Sequence, residues 1–561
     1  MSFESVAEEI VKNSIRSAVC VDNAFVEPYY DALEGDDKEM PKRLFESFRK
    51  ENCNLDIYRY KDMSKWERDS EYVLSNHDLL ILDWELVGDP PFQDSLEILW
   101  EAVNLQSLPF VLIYTQESDT SLIELNIHSF FGTPYADITE RRTKYEEFCA
   151  KLEDETEIDN PNRLFESIFT ECKQLILSYD RKIIAKSLVE QIRKYCEKED
   201  LNFISFMNKM MSLSKSILNI SNIENLLGFL VFYMGNTAVN TKGHSIQIFP
   251  IDGAKHSFVI NNTTITIFVK PKASNPESDI VISPERVYKL FAESIYKPPR
   301  NFLALLSLEM KTLYREKSGI IGDELYNIDE IAFFHHQKNL NSEDDFYDFL
   351  RNCWKDQLSA FNLIQSPKLF SVLEEYKKRD NIGEKIEQCR EKDLGRLQEE
   401  LVKLNYSYSF FQIERKKNDR IRFGDLFILS KDTEGKQYEG FVLSITPHCD
   451  CLHPENINDK FYFVFGKKID IGEGLSCAEQ GFFSFLIYKG TSVCIKWNPK
   501  PFTLYISKDQ NNISEPIKVN YHESDRYLLF EATQKESYTQ RIANESFSHA
   551  SRVGIDLAGL K

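Results

Sequence analysis

Asp78-Leu79-Leu80-Ile81-Leu82-Asp83 is the stretch that decides the fold. Four aliphatic side chains follow one another without alternation, and an acid stands at each end. A strand with one wet face alternates apolar and polar residues; a continuous run fits a strand covered on both faces, as in a parallel sheet. Two more runs share the pattern: Ser17-Ala18-Val19-Cys20-Val21-Asp22 and Phe110-Val111-Leu112-Ile113-Tyr114-Thr115. Ligands of parallel sheets bind beyond the carboxyl ends of the strands. Asp22, Asp83 and Thr115 are therefore expected on one edge, where two carboxylates can hold Mg²⁺ and a hydroxyl can bond a phosphoryl oxygen.

This arrangement resembles the receiver domain of two-component response regulators, over about the first quarter of the chain. Asp78 to Leu86 is the best piece, and Gly88-Asp89 follows it as a receiver's loop glycine would. Val21-Asp22-Asn23 stands where receivers usually carry two adjacent acids, with Asn23 in place of one of them. The second strand is expected near Leu55 to Tyr58, after a longer connection than usual that carries the acidic insert Glu34-Gly35-Asp36-Asp37. The resemblance implies a doubly wound, flavodoxin-like parallel sheet with Asp83 as the phosphoacceptor. It also implies Mg²⁺ on Asp22, Asp83 and the backbone carbonyl near Glu85, with Thr115 on the phosphoryl oxygen. The family's lysine ends the fifth strand before a proline. That strand is expected near Phe130-Phe131-Gly132-Thr133-Pro134, where Thr133 occupies the lysine's place, and no Lys or Arg occurs from Asp69 through Glu140. Without an ammonium, neutralising a phosphoaspartate of about two negative charges would fall to Mg²⁺ or to a partner's cation.

The 561 residues provide for several domains, and 42% hydrophobic with 13% aromatic content speaks for globular folding. The net charge is −21, and residues 1–145 hold 29 acids against 14 bases. Such a surface repels phosphate backbones, so nucleic acid is disfavoured as a partner. The short basic run from Arg415 to Arg422 reads as a solvated strand approach. Met1-Ser2-Phe3-Glu4 opens a polar, amphipathic start, and no apolar run reaches the ~18 residues that cross a membrane. Eleven cysteines in no paired framework suit a reduced, cytoplasmic chain.

The fold class expected is multidomain α/β. Residues 1–145 form the receiver-like domain, and 146–405 a mainly helical domain with a β-hairpin insert near 244–270. Residues 406–561 form a small β-barrel-like domain closed by a C-terminal helix, in which Arg541 and Arg552 could anchor to carboxylates or bind an anion. Leu394, Leu397, Leu401 and Leu404, spaced 3-4-3, read as a helix seam packed on a neighbouring domain. His335-His336 point about 100° apart on a helix and rarely share a ligand. In Thr446-Pro447-His448-Cys449-Asp450-Cys451-Leu452-His453-Pro454, extended alternation would place Cys449, Cys451 and His453 on one face. With His448, and with Cys477 or Cys494 to complete it, that is a candidate Zn²⁺ site, although its spacing is not that of a zinc finger. A structured turn with a buried cysteine is the plainer reading.

No HExxH, GxGxxG, Walker or GxSxG context occurs. The overall arrangement resembles divergent receiver proteins found beside sensor kinases in bacterial phosphorelays, some serving antiphage defence. It implies a response-regulator component that takes phosphate on Asp83 from a histidine kinase or kinase-like ATPase, with output by protein contact or phosphate buffering. Two alternatives stand beside it. One is a pseudo-receiver scaffold that works without phosphate. The other is a receiver-controlled effector enzyme, a nuclease or toxin, with its site in the C-terminal β domain.

Overall fold

A computed structural model describes residues 2–26, 39–88, 90–105, 109–132, 138–156, 158, 160–165, 181–220, 223, 226, 229–230, 248–251, 256–271, 280–299, 301–318, 330–339, 346, 349–350, 367–411, 415, 419–478 and 482–550. The chain divides into two compact units, residues 1–328 with 354–380, and residues 329–353 with 381–561.

In the first unit, the run that decided the fold is β3 (Leu79–Leu82), with all four residues buried. Parallel to it lie β1 (Ser17–Asp22), with Val21 opposite Leu82, and β4 (Phe110–Thr115), with Ile113 opposite Leu82. β2 (Asn54–Arg59) flanks β1 in parallel, Asp22 opposite Arg59. Short strands β5 (Ile248–Pro250) and β6 (Ser257–Ile260) precede β7 (Thr263–Val269). The sheet order is β2-β1-β3-β4-β7-β6-β5, parallel as far as β7 and antiparallel beyond it.

Both faces are covered, as the unbroken apolar runs require. Val19, Val21, Leu80, Leu82, Val111, Ile113, Ile265 and Ile267 share one core with residues of α3 (Met63–Ser75) and α4 (Gln93–Asn104), among them Trp66, Leu96 and Leu99. On the other face, Phe110 meets Phe291 edge-on at 5.9 Å, and Phe48 of α2 (Glu39–Lys50) meets Tyr288 at 5.2 Å. Phe291 and Tyr288 belong to the helix Val287–Tyr296, far along the chain.

The hairpin near 244–270, expected inside a separate helical domain, is instead the continuation of the first sheet. β7 lies beside β4 in parallel, from Phe110 opposite Thr264 to Thr115 opposite Val269. The fifth strand is therefore not near Phe130-Phe131. Those residues are buried in α5 (Thr120–Gly132), and Thr133-Pro134 lie outside the described residues. Physically, β4 carries apolar side chains on both faces and a full set of backbone donors and acceptors, and β7 satisfies both. Between α5 and β5 come α6 (Ile138–Thr156) and the helices Arg181–Lys198 and Phe203–Ile217. They include a core of their own built from Phe148, Leu152, Ile192, Met210 and Leu213.

The second unit holds seven antiparallel strands: β8 (Asp425–Ser430), β9 (Tyr438–Ser444), β10 (Lys460–Ile469), β11 (Phe483–Tyr488), β12 (Thr491–Tyr505), β13 (Ile517–Tyr521) and β14 (Ser524–Thr533). Their order is β11-β12-β10-β9-β8-β14-β13. Among the described residues no strand pairing closes this sheet into the expected barrel, although Phe502 of β12 lies against Tyr521 of β13 with ring centroids 5.3 Å apart. The helix Leu394–Ser409 packs on β11 and buries Val402, while Leu394, Leu401 and Leu404 stay exposed. The apolar spacing thus marks the outer side of this helix, not the side it buries in its own unit.

Candidate functional site

Because five strands run parallel, their carboxyl ends share one edge. Asp22 closes β1, Asp83 follows β3, Thr115 closes β4, and Lys270 follows β7. All four are buried, Asp83 the least so at 8% exposure. The Lys270 ammonium lies 2.6 Å from Asp22 Oδ2 and 3.1 Å from Asp83 Oδ1, so one cation joins both carboxylates. It also sits over the Phe25 ring, 4.8 Å from its centroid.

Main-chain bonds fix each member. Asp22 Oδ1 accepts from Ala24 N at 2.7 Å and Phe25 N at 3.1 Å, which turns the chain sharply after β1. Asp83 Oδ1 accepts from Trp84 N at 3.0 Å, and Asp83 N donates to Val21 O at 3.0 Å. Lys270 N donates to Thr115 O at 2.6 Å, tying the lysine's backbone to the threonine's. Thr115 Oγ1 accepts from Glu117 N at 3.1 Å, which leaves the hydroxyl proton to donate elsewhere. Val269 is held between Ile280 O and Ile282 N, at 2.8 and 3.0 Å, so the residue before Lys270 is anchored through both its amide and its carbonyl.

The electrostatics follow from burial and from two like charges sharing one counter-charge. Burial raises the Asp83 carboxyl and Asp22 adds to the rise; Lys270 opposes both, and the outcome is about 6. For Lys270, burial works toward the neutral amine, but Asp22 and Asp83 outweigh it and hold the ammonium above its ordinary value. Burial, reinforced by Asp22, also keeps the neighbouring Cys20 thiol protonated.

Lys270 corrects the expectation that no ammonium reaches these carboxylates. The signal was in the sequence: Thr263 to Val269 is a strand-like run rich in β-branched residues, and Lys270-Pro271 follows it, a lysine before a proline at the end of a strand. It was missed because residues 116–262 separate it from β4, whereas successive strands of a parallel sheet usually follow one another closely.

The residues expected around 448–453 do not form a site. His448–Leu452 is a helical turn, so Cys449 and Cys451 diverge instead of sharing an extended face. Cys451 is buried with its thiol on Thr446 O at 3.3 Å, Cys449 is exposed, His448 packs against Phe423, and His453 lies 3.3 Å from Glu455. Among the described residues no three His, Cys, Asp or Glu side chains are grouped to hold a metal ion. His335 and His336 are exposed on the helix Glu330–Lys338. Arg415 and Arg422 form ion pairs with Asp419, and Arg415 also with Asp425, so they are not a free basic stripe. Arg541 is exposed, and Arg552 lies outside the described residues. No described helix is long and apolar enough to cross a membrane.

Neither the curated proteins nor the solved structures offer a match to this chain. Residues 14–160 match the family described as the response receiver domain, so the N-terminal part of this chain is a receiver domain.

Proposed function

We propose that this receiver domain takes a phosphoryl group on Asp83 from a phosphohistidine of a partner kinase, either a histidine kinase or a kinase-like ATPase. Output would be by protein contact or phosphate buffering. The observation that carries the reading is Lys270 on both carboxylates, at the edge where Thr115 also ends. An Asp83 carboxylate oxygen forms the new P–O bond as the P–N bond to imidazole breaks, and the leaving nitrogen regains a proton. At neutral pH Asp83, near 6, is mostly ionised and ready as the nucleophile. Lys270 stands to neutralise the added charge, and the Thr115 hydroxyl to donate to a phosphoryl oxygen.

The donors also fit Mg²⁺. Asp22 and Asp83 supply hard carboxylate oxygens, and neither Asp83 Oδ2 nor the Glu85 carbonyl is engaged by another described residue. Mg²⁺ commonly takes one or two carboxylates and keeps several waters. When bound it would supply positive charge opposite the phosphoryl oxygens. On this reading the receiver module is discontinuous: it runs through β4 and α5, leaves for the helical segment, and returns with β7.

Intact mass after incubation with acetyl phosphate and Mg²⁺ tests the assignment. Wild type should gain one phosphoryl group and Asp83→Asn none. A second reading, a scaffold that works without phosphate, draws on the same ion cluster, since Lys270 already balances the site in its unphosphorylated form. Wild type that stays unlabelled by acetyl phosphate and by every candidate kinase would favour the scaffold.

A further inference from the structure

The loop after the acceptor strand is held from one point. Ser95, in the first turn of α4, is completely buried. Its hydroxyl lies 3.0 Å from the carbonyl oxygen of Asp83 and 2.8 Å from that of Trp84. One donor shared by two successive carbonyls fixes both peptide planes that follow the acceptor. The surroundings make the loop stiffer. Trp84, buried, stacks on Phe92 with rings 5.9 Å apart and 7° from parallel. Leu86 N donates to Pro91 O at 3.0 Å, and Tyr60 pins Asp94, the residue before Ser95, at 2.7 Å. The loop turns at Gly88, whose φ of +151° favours glycine.

We propose that Ser95 is a positioning residue for the oxygen-seeking divalent cation at this site. By taking the carbonyls of Asp83 and Trp84, it leaves Glu85 as the first main-chain oxygen after the acceptor that is open to a cation, and it holds that oxygen in place. This rests on reading Asp83 as the phosphoacceptor. Ser95 need touch neither cation nor phosphate. It acts through the peptide planes, as groups behind metal ligands do when they orient them, and loss of such contacts typically costs about 10–100-fold in affinity.

The test is calorimetric titration of the full chain with Mg²⁺ alone, so that the readout does not depend on phosphorylation. Ser95→Ala should weaken binding by about tenfold or more, and Ser95→Thr, which restores the hydroxyl, should recover it. Ser14→Ala is the control. It removes another buried hydroxyl of the same unit, bonded to Ile10 O at 2.8 Å and remote in sequence, and should leave Mg²⁺ affinity at the wild-type value. If Ser95→Ala does not fold, Ser95→Cys keeps the size with a far weaker donor and carries the same expectation. Wild-type affinity in a folded Ser95→Ala or Ser95→Cys protein, or an equal loss in Ser14→Ala, overturns the positioning role alone. Wild type that binds no Mg²⁺ overturns this role together with the Mg²⁺-assisted reading of Asp83.

Discussion

Asp83 and Asp22 share one ammonium, and that imbalance has a measurable signature at the scale of a single residue. The folded carboxyl of Asp83 titrates near 6, against about 3.9 for an exposed aspartate. Between these values the folded chain holds a proton that the unfolded chain has released. Asp83 thus contributes its full stability below about pH 4 and loses it as pH rises through about 6. Asp83→Asn cannot titrate. Its stability relative to wild type should therefore increase from pH 4 to pH 7, by on the order of 2–3 kcal/mol. Urea unfolding at a series of pH values measures it, and a difference that stays flat with pH would show that Asp83 is not strained by its surroundings. Asp22, Asp83 and Thr115 were legible as residues because each ends a run whose apolar character is purely local. Lys270 was legible only as a lysine after a strand; its two carboxylate partners come from far upstream.

Among the elements, β1, β3 and β4 could be read because double burial leaves a continuous apolar signature. β7, with Thr263, Thr264 and Thr266 among its residues, lacks that unbroken run but was readable as a strand from its β-branched side chains. Its neighbour was not, because pattern reports burial and says nothing of which strand lies alongside. Phe130-Phe131 misled for a related reason: two apolar residues before a proline fit a strand end as well as the buried face of a helix. The turn at 448–452 failed through geometry, since alternation applies only to extended chain and Pro447 leads into a helical turn. The placement of β7 makes a prediction at this scale. Ile267, fully buried in the sheet core, stands three residues before Lys270. Ile267→Ala should cost about 2–5 kcal/mol and loosen the strand that carries the lysine. Acetyl phosphate labelling of Asp83 should slow accordingly. A cavity of the same kind in the other sheet, Leu486→Ala, should leave labelling at the wild-type rate. Equal labelling in both variants would mean that β7 does not govern the site.

For the whole molecule, the family match ends at residue 160, yet the sheet it belongs to is completed by β7 at 263–269. The match therefore covers β1 to β4 and stops short of β7, which continues their sheet in parallel. The same unit includes α1 (Phe3–Ser14) and the helix Leu373–Arg379, where Arg379 lies over the Phe3 ring at 4.3 Å. Glu309 accepts a hydrogen bond from Leu369 N at 3.0 Å and fastens the residues before that helix. A fragment cut at residue 160 keeps α1 and loses these partners of it, with β7. It exposes the edge of β4, with its unpaired backbone groups, and it unburies Val111, Ile113 and Phe110 on the two faces. An apolar open edge of that kind pairs with other chains. Residues 1–160 should accordingly aggregate or unfold without a cooperative transition, whereas residues 1–380 should unfold in a single step. Gel filtration and urea unfolding followed by circular dichroism distinguish the two. A monomeric, cooperatively folded 1–160 fragment would make β7 an accessory strand and remove Lys270 from the set of groups the receiver needs to fold.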